Sequence, residues 1–115
     1  MSKPTRSVDA LPEVVTTQLT KLGHDLELAR KRRRMSKSEF AARMMVNRKT
    51  VDRLEEGDPS VSIGIVATAF WVLGLQKRLG EVISPERDEV ALQDDIRKLP
   101  RDFRKTSKRL KELDF

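Results

Sequence analysis

The chain predicts an all-α fold, a compact bundle of five helices with flexible arms at both ends. Three observations carry that expectation. Leu19, Leu22, Leu26 and Ala29 recur at steps of three and four, the period of a helix with one buried face. Ser36 to Gly57 reads as two short helices joined by a tight turn. Ile63 to Leu73 is apolar and bracketed by Ser62, a capping residue, and Gly74, a stop signal.

The elements follow in order. Residues 1–15 hold Pro4 and Pro12 among scattered polar residues and read as a mobile arm, in which Val14 and Val15 are positioned to pair as a short strand. Thr16 or Thr17 caps the first helix, which ends near Arg33. Ser36 caps the second, with Glu39 at the capping-box spacing and Phe40, Ala41 and Met44 marking an apolar face. Asn47 caps the third, Val51 and Leu54 form its inner face, and Gly57 followed by Pro59 closes it. Helices this short need a partner surface to be stable.

In the fourth helix, Ile63, Val66, Phe70 and Leu73 form the stripe that closes the core. Ile65, Val72, Leu75 and part of Trp71 point elsewhere, so the helix calls for a second apolar partner. A fifth helix, roughly Gln76 to Ile83, offers Leu79, Val82 and Ile83 as part of that partner. The remainder suits a two-fold dimer interface of Ile65, Trp71, Val72 and Leu75, the alternative for Trp71 being a place in the molecule's own core. Glu86 to Leu99 reads as a further helical turn or two before Pro100.

Composition narrows the function. The 115 residues suit one core, and the absence of cysteine excludes disulfides and thiolate metal sites. The longest apolar run is too short to span a bilayer and the N-terminus lacks a signal peptide's apolar run, so cytoplasmic residence is expected. Net charge is +6, which favours a polyanionic partner. The charge is also segregated. Residues 21–53 hold eleven Lys/Arg against four Asp/Glu, residues 54–96 three against nine, and residues 97–115 eight against three. Well-mixed surfaces do not show such blocks. They fit two different partners, or a basic tail folding back on the acidic middle. No nucleophile–base pair, metal-ligand cluster or phosphate loop is present and His24 sits among charged residues, so neither an enzyme nor a cofactor site is expected.

The third helix carries Asn47, Arg48, Lys49, Asp52 and Arg53 on its outer side, a pattern suited to reading double-stranded DNA. Arg48 can fork onto guanine; Lys49 reaches guanine or a phosphate; Asp52 braces Arg48 or accepts from a cytosine amino group. Thr50 either contacts the DNA backbone or faces the turn, and Lys49 with Arg53 forms a like-charge pair that a phosphate would relieve. Five cations in succession, Arg30 to Arg34, exceed what a helix dipole explains, so Arg32, Arg33 and Arg34, with Lys37 and Arg53, are expected at phosphates.

Leu22-Gly23, Leu26, Arg30, Ser36, Glu39, Ala41, Val46, Thr50, Val51, Arg53, Leu54, Glu55 and Gly57 together resemble the Xre family of phage-repressor-like helix-turn-helix proteins, over about Leu22 to Leu75. The resemblance implies a lambda-repressor-like bundle of about five helices used as a homodimer on operator DNA, with Arg30 paired to an acid, here Glu55. Three residues depart from the family pattern. Arg34 and Met45 stand where glycines are usual, and Lys37 replaces a glutamine. A non-glycine residue with positive φ at 34 would cost about 1 kcal/mol.

The segment GDPSVSIGIVATAFWVLGLQKRLGEVISPERDEV and the later LPRDFRK resemble HipB-type antitoxins. That resemblance alone implies autorepression of an operon and restraint of a HipA-like kinase toxin; the alternative is a stand-alone Xre-type regulator. Within the basic tail, Phe103, Leu110, Leu113 and Phe115 suit anchoring on a protein partner, against the alternative of a disordered solubilising tail. The organisation expected is therefore an arm at 1–15, a DNA-binding and dimerisation domain at 16–84, and an acidic-then-basic extension at 85–115.

Overall fold

The computed structural model describes residues 10–98, and these residues are all-helical. The helices are α1 (Glu13–Arg32), α2 (Lys37–Met44), α3 (Arg48–Glu55), α4 (Ile63–Val72), α5 (Gln76–Gly80) and α6 (Glu89–Lys98), with a 3-10 turn at Pro85–Arg87. Among the described residues no helix is long and apolar enough to cross a membrane. The described residues divide into two compact units, with the boundary between Leu79 and Gly80.

Local chemistry starts the short helices. The side-chain oxygens of Ser36, Asn47 and Ser62 accept from the backbone N–H of Glu39, Thr50 and Ile65 at 3.0, 2.9 and 3.2 Å. The capping box at α2 is only half formed, because the Glu39 carboxylate accepts from Arg43 instead of reaching back to Ser36. At α1 the expectation is corrected. The helix begins at Glu13, so Val14 and Val15 are helical, and no side chain caps it. Instead the Pro12 carbonyl accepts from the N–H groups of Val15 and Thr16 at 3.0 and 3.2 Å, with Glu13 in the first turn against the helix dipole. The Thr16 hydroxyl donates to the Glu13 carbonyl from inside the helix.

Four helix ends share one device. Arg34, Met45, Gly57 and Gly74 are left-handed, with φ of 55°, 61°, 76° and 78°. In each case the next residue's N–H reaches back to a carbonyl in the last turn: Met35 to Arg30, Val46 to Ala41, Asp58 to Arg53 and Leu75 to Phe70. Two of these positions carry side chains and bear strain of about 1–2 kcal/mol each.

In the first unit, α3 packs against α1 and α2, and α2 packs against α4. Phe40 and Val51 are fully buried, surrounded by Leu26, Met35, Ala41, Met44, Leu54, Ala69 and Leu73. The expected core stripe of α4 holds at Val66, Phe70 and Leu73, which pack on the core, and is corrected at Ile63, which is 78% exposed. Ile65, Val72 and Leu75, expected to point elsewhere, also lie partly buried against the core, and Ala69 is fully buried there. An apolar helix has no preferred side of its own, and the small Ala69 permits the closest approach. Trp71 is 63% exposed, which excludes a place in the molecule's own core.

A buried ion pair crosses this unit. Arg30 donates from Nε and Nη2 to the Glu55 carboxylate at 2.7 and 3.1 Å, and from Nη1 to the Met35 carbonyl at 2.8 Å. Hydrogen bonding to Glu55 raises the guanidinium's pKa against the opposing effect of burial. Beside it the backbones touch. A Cβ on Gly23 would lie 2.6 Å from the Glu55 carbonyl, and one on Gly57 would lie 2.5 Å from the Leu19 carbonyl.

The helix α5 ends at Gly80, where the second unit begins and short of the expected Ile83, and Val82 and Ile83 are exposed in the turn that follows. Asp88 Oδ1 accepts from the N–H of Ala91 at 3.1 Å and so starts α6. Glu81 pairs with Arg87 at 3.4 Å and Asp94 with Lys98 at 2.9 Å.

The clamp yields a stability prediction. Glu55→Ala should cost about 3–5 kcal/mol because it strands a buried guanidinium, while Arg30→Met combined with Glu55→Leu should cost less than Glu55→Ala alone. Urea unfolding followed by far-UV circular dichroism measures both, and a loss below about 1 kcal/mol for Glu55→Ala would show that the pair does not anchor the fold.

Candidate nucleic-acid interface

The outward side of α3 is set by what its inward side does. Val51, Leu54 and Glu55 are buried, so helical spacing turns Lys49, Asp52 and Arg53 away from the core and leaves Arg48 exposed at the first turn. The helix is held at both ends, by the Asn47 cap at its start and by Glu55 and Gly57 at its finish. Its side chains therefore project from a rigid base.

The expected contact residues separate into two groups. The side chains of Arg32, Arg34, Arg48 and Lys49 make no hydrogen bond or ion pair among the described residues, a condition shared on α5 by the side chains of Lys77 and Arg78. The others are engaged. Lys37, the first residue of α2, donates to Asp52 Oδ1 at 2.9 Å. Each partner steadies the other's charge: the Lys37 hydrogen bond lowers the Asp52 pKa, helped further by the Lys37 and Arg48 charges, and Asp52 raises that of Lys37. Asp52 therefore braces Lys37 rather than Arg48. Arg53 donates to Asp58 Oδ2 at 3.0 Å and Ser60 Oγ at 2.6 Å, which resolves its expected conflict with Lys49.

Three further expected residues have hydrogen bonds within the protein that bear on their roles. Arg33 donates from Nε to the Leu73 carbonyl at 3.1 Å and from Nη1 to the Ala29 carbonyl at 2.7 Å. Its guanidinium ties the end of α1 to the end of α4, and these two bonds take two of its five N–H donors. Thr50 donates its only hydroxyl proton to Asn47 Oδ1 at 3.0 Å, so it has none to offer a phosphate. Asn47 Oδ1 already accepts from Thr50 twice, which leaves only its amide N–H groups for a base.

The remaining expected residues lie elsewhere. Trp71 and Val72 on α4 line an open cleft of about 410 Å³ with Arg43 of α2, whose guanidinium is tied to Glu39 at 2.7 Å. Of the expected dimer residues, Trp71 is the exposed one, and Ile65, Val72 and Leu75 are half-buried against the core. Phe103, Leu110, Leu113 and Phe115 lie outside the described residues. Comparison with protein-family models, with curated proteins and with solved structures finds no match.

Sequence reasoning missed the Lys37–Asp52 pair, the Arg53–Asp58–Ser60 network and the Arg33–Leu73 link. Only the second carries a local signal. Asp58 precedes Ser60 by two residues, the spacing of an Asx turn, and its Oδ1 accepts from both the N–H and the hydroxyl of Ser60 at 2.8 Å.

This network gives a pH prediction. The Ser60 N–H above all, then its hydroxyl and Arg53, hold the Asp58 carboxyl below its ordinary pKa. A depressed folded-state value means that the contribution is complete above the unfolded pKa of about 3.9 and is lost as pH falls through the folded value. The stability gap between wild type and Asp58→Asn should hold steady from pH 7 to about 5, then shrink as pH drops below about 4. Urea midpoints across that range test it; a gap that widens towards acid would contradict the assignment.

Proposed function

We propose that this chain is a sequence-specific double-stranded DNA-binding protein of the helix-turn-helix type, with α2 and α3 as the paired helices and α3 as the one that enters the major groove. The observation that carries this reading is the pair of unpartnered, exposed cations, Arg48 and Lys49, at the start of a helix anchored rigidly from behind. That is where helix-turn-helix proteins present side chains to base edges. The three-residue connection from Met45 to Asn47, with its left-handed first residue, supports the same reading.

Arg48 is the base reader in this proposal, forked onto guanine, with Lys49 and the Asn47 amide beside it. Arg32 and Arg34, at the end of α1, take phosphates. Arg34 lies three residues before Lys37, which touches α3, so connectivity puts this cationic end close to the reading helix. The strain held at Arg34 also fits a residue kept for its side chain, as strained positions often are at functional sites. Trp71 is the anchor of a two-fold dimer that doubles the contact area. Repression of an operon and restraint of a HipA-like kinase toxin extend the proposal on the strength of the sequence resemblance; a stand-alone regulator would share the same DNA interface.

Two outcomes are expected. Arg48→Ala should lose roughly 1–3 kcal/mol on a duplex selected by the wild-type protein from a random library and much less on random duplex, whereas Arg32→Ala should weaken both alike and flatten the salt dependence. Fluorescence anisotropy across a salt series measures this, and equal losses for Arg48→Ala on both duplexes would remove it from base reading. Trp71→Ala should yield a folded monomer with much weaker binding to a selected palindrome whose half-sites lie ~34 Å apart. Sedimentation decides that point: a wild-type protein that is monomeric at micromolar concentration, free and on DNA, would reject the dimer.

A further inference from the structure

The Lys37–Asp52 pair is unexpected on a face proposed to meet phosphates, because it places a carboxylate among the cations that would do so. The pair joins the first residue of α2 to the middle of α3, at 2.9 Å between Nζ and Oδ1. Both side chains are about one-third exposed, 33% for Lys37 and 38% for Asp52, so each can reach a ligand arriving from solvent. The second carboxylate oxygen, Oδ2, accepts no hydrogen bond among the described residues. Arg48 lies four residues before Asp52, close enough that its charge also favours the ionised carboxylate.

We propose, resting on the DNA-binding reading above, that Asp52 is a specificity residue that works by exchange: it withholds Lys37 from phosphates on duplexes of the wrong sequence and releases it where a base amino group takes the ammonium's place. On random duplex, Lys37 gains little by leaving. A phosphate would accept its ammonium, but the abandoned carboxylate would then face a polyanion with no donor. On a duplex that offers a cytosine N4 or adenine N6 amino group opposite Asp52, the carboxylate acquires a donor in the major groove and Lys37 is free to reach the backbone. Opening the pair is easy, since an ion pair open to water on one side is weak. The discrimination comes from what Asp52 meets afterwards. Non-specific affinity is set by the number of phosphates neutralised, so holding back one cation lowers it selectively.

The experiment measures binding of Asp52→Asn, Lys37→Gln and the double variant to two duplexes, one random and one selected by the wild-type protein from a random library, over a salt series. Asp52→Asn should bind random duplex roughly three- to tenfold more tightly at low salt, with a salt slope steeper by about 0.9, the increment for one added phosphate contact. Its preference for the selected duplex over the random one should fall. In the Lys37→Gln background the same Asp52→Asn change should lose the added slope, because the lysine it released is gone. Replacing the selected duplex's cytosines and adenines one at a time should identify a base pair to which wild type responds and Asp52→Ala, which has no acceptor there, does not.

Thermal unfolding verifies that the variants fold, and Asp52→Ser serves in place of Asp52→Asn should that variant fail. An unchanged random-duplex slope in Asp52→Asn would overturn the exchange, as would a gain that persists undiminished without Lys37. Either result leaves the DNA-binding reading standing. That reading falls instead if the wild-type protein binds neither duplex with a salt dependence.

Discussion

The buried pair of Arg30 and Glu55 is the constraint on which the first unit depends. One guanidinium joins α1, the carbonyl of Met35 between α1 and α2, and the last residue of α3. Burying these charges is costly, and the cost is offset only by this geometry, a two-pronged bond to the carboxylate with a third donor satisfied by a carbonyl. Because Glu55 must face inward, the rotation of α3 about its axis is set. Gly23 and Gly57 then let the α1 and α3 backbones meet without a Cβ between them. The same inward turn of Glu55 puts Lys49 and Arg53 on the outer side.

Electrostatics beyond that pair work by allocation. In a segment so rich in cations, repulsion would oppose folding unless most of them found partners. Lys21, Lys31, Lys37, Arg43 and Arg53 each hold an acid, and Arg33 holds two carbonyls. Arg32, Arg34, Arg48 and Lys49 are left over. Surface pairs contribute little to stability individually. Their consequence is to decide which positive charges a polyanion would find available, and that is why the proposed function rests on this remainder and not on net charge.

Strain is distributed unevenly over the helix ends. Gly57 and Gly74 adopt the left-handed conformation freely, while Arg34 and Met45 adopt it at a cost. The backbone hydrogen bonds made just after each turn, and the burial of Met35 beside Arg34, over-determine the geometry enough to hold it. Turn geometry here follows from the packing of the helices it connects, which holds even a residue with a side chain in the left-handed conformation.

Much of the fold was legible in the sequence wherever the controlling interaction is short in range. Ser36, Asn47 and Ser62 begin their helices because a side-chain oxygen reaches an N–H three residues away, and Gly57 and Gly74 end theirs by backbone freedom alone. The start of α1 was misread because Pro12 begins it without a polar side chain to announce it. At the candidate site, the residue types on the outer side of α3 were readable from period. Their availability was not. Lys37 meets Asp52 across 15 positions and Arg33 meets Leu73 across 40, and no local pattern encodes such pairings. The facing of α4 was legible only in part: Val66, Phe70 and Leu73 pack as the period predicts, but in a helix apolar on every side the neighbours also put Ala69 inward and left Ile63 in solvent. Local hydrogen bonding and helical period thus determined where the helices lie and what they carry, whereas long-range packing decided which charges are neutralised and which are presented.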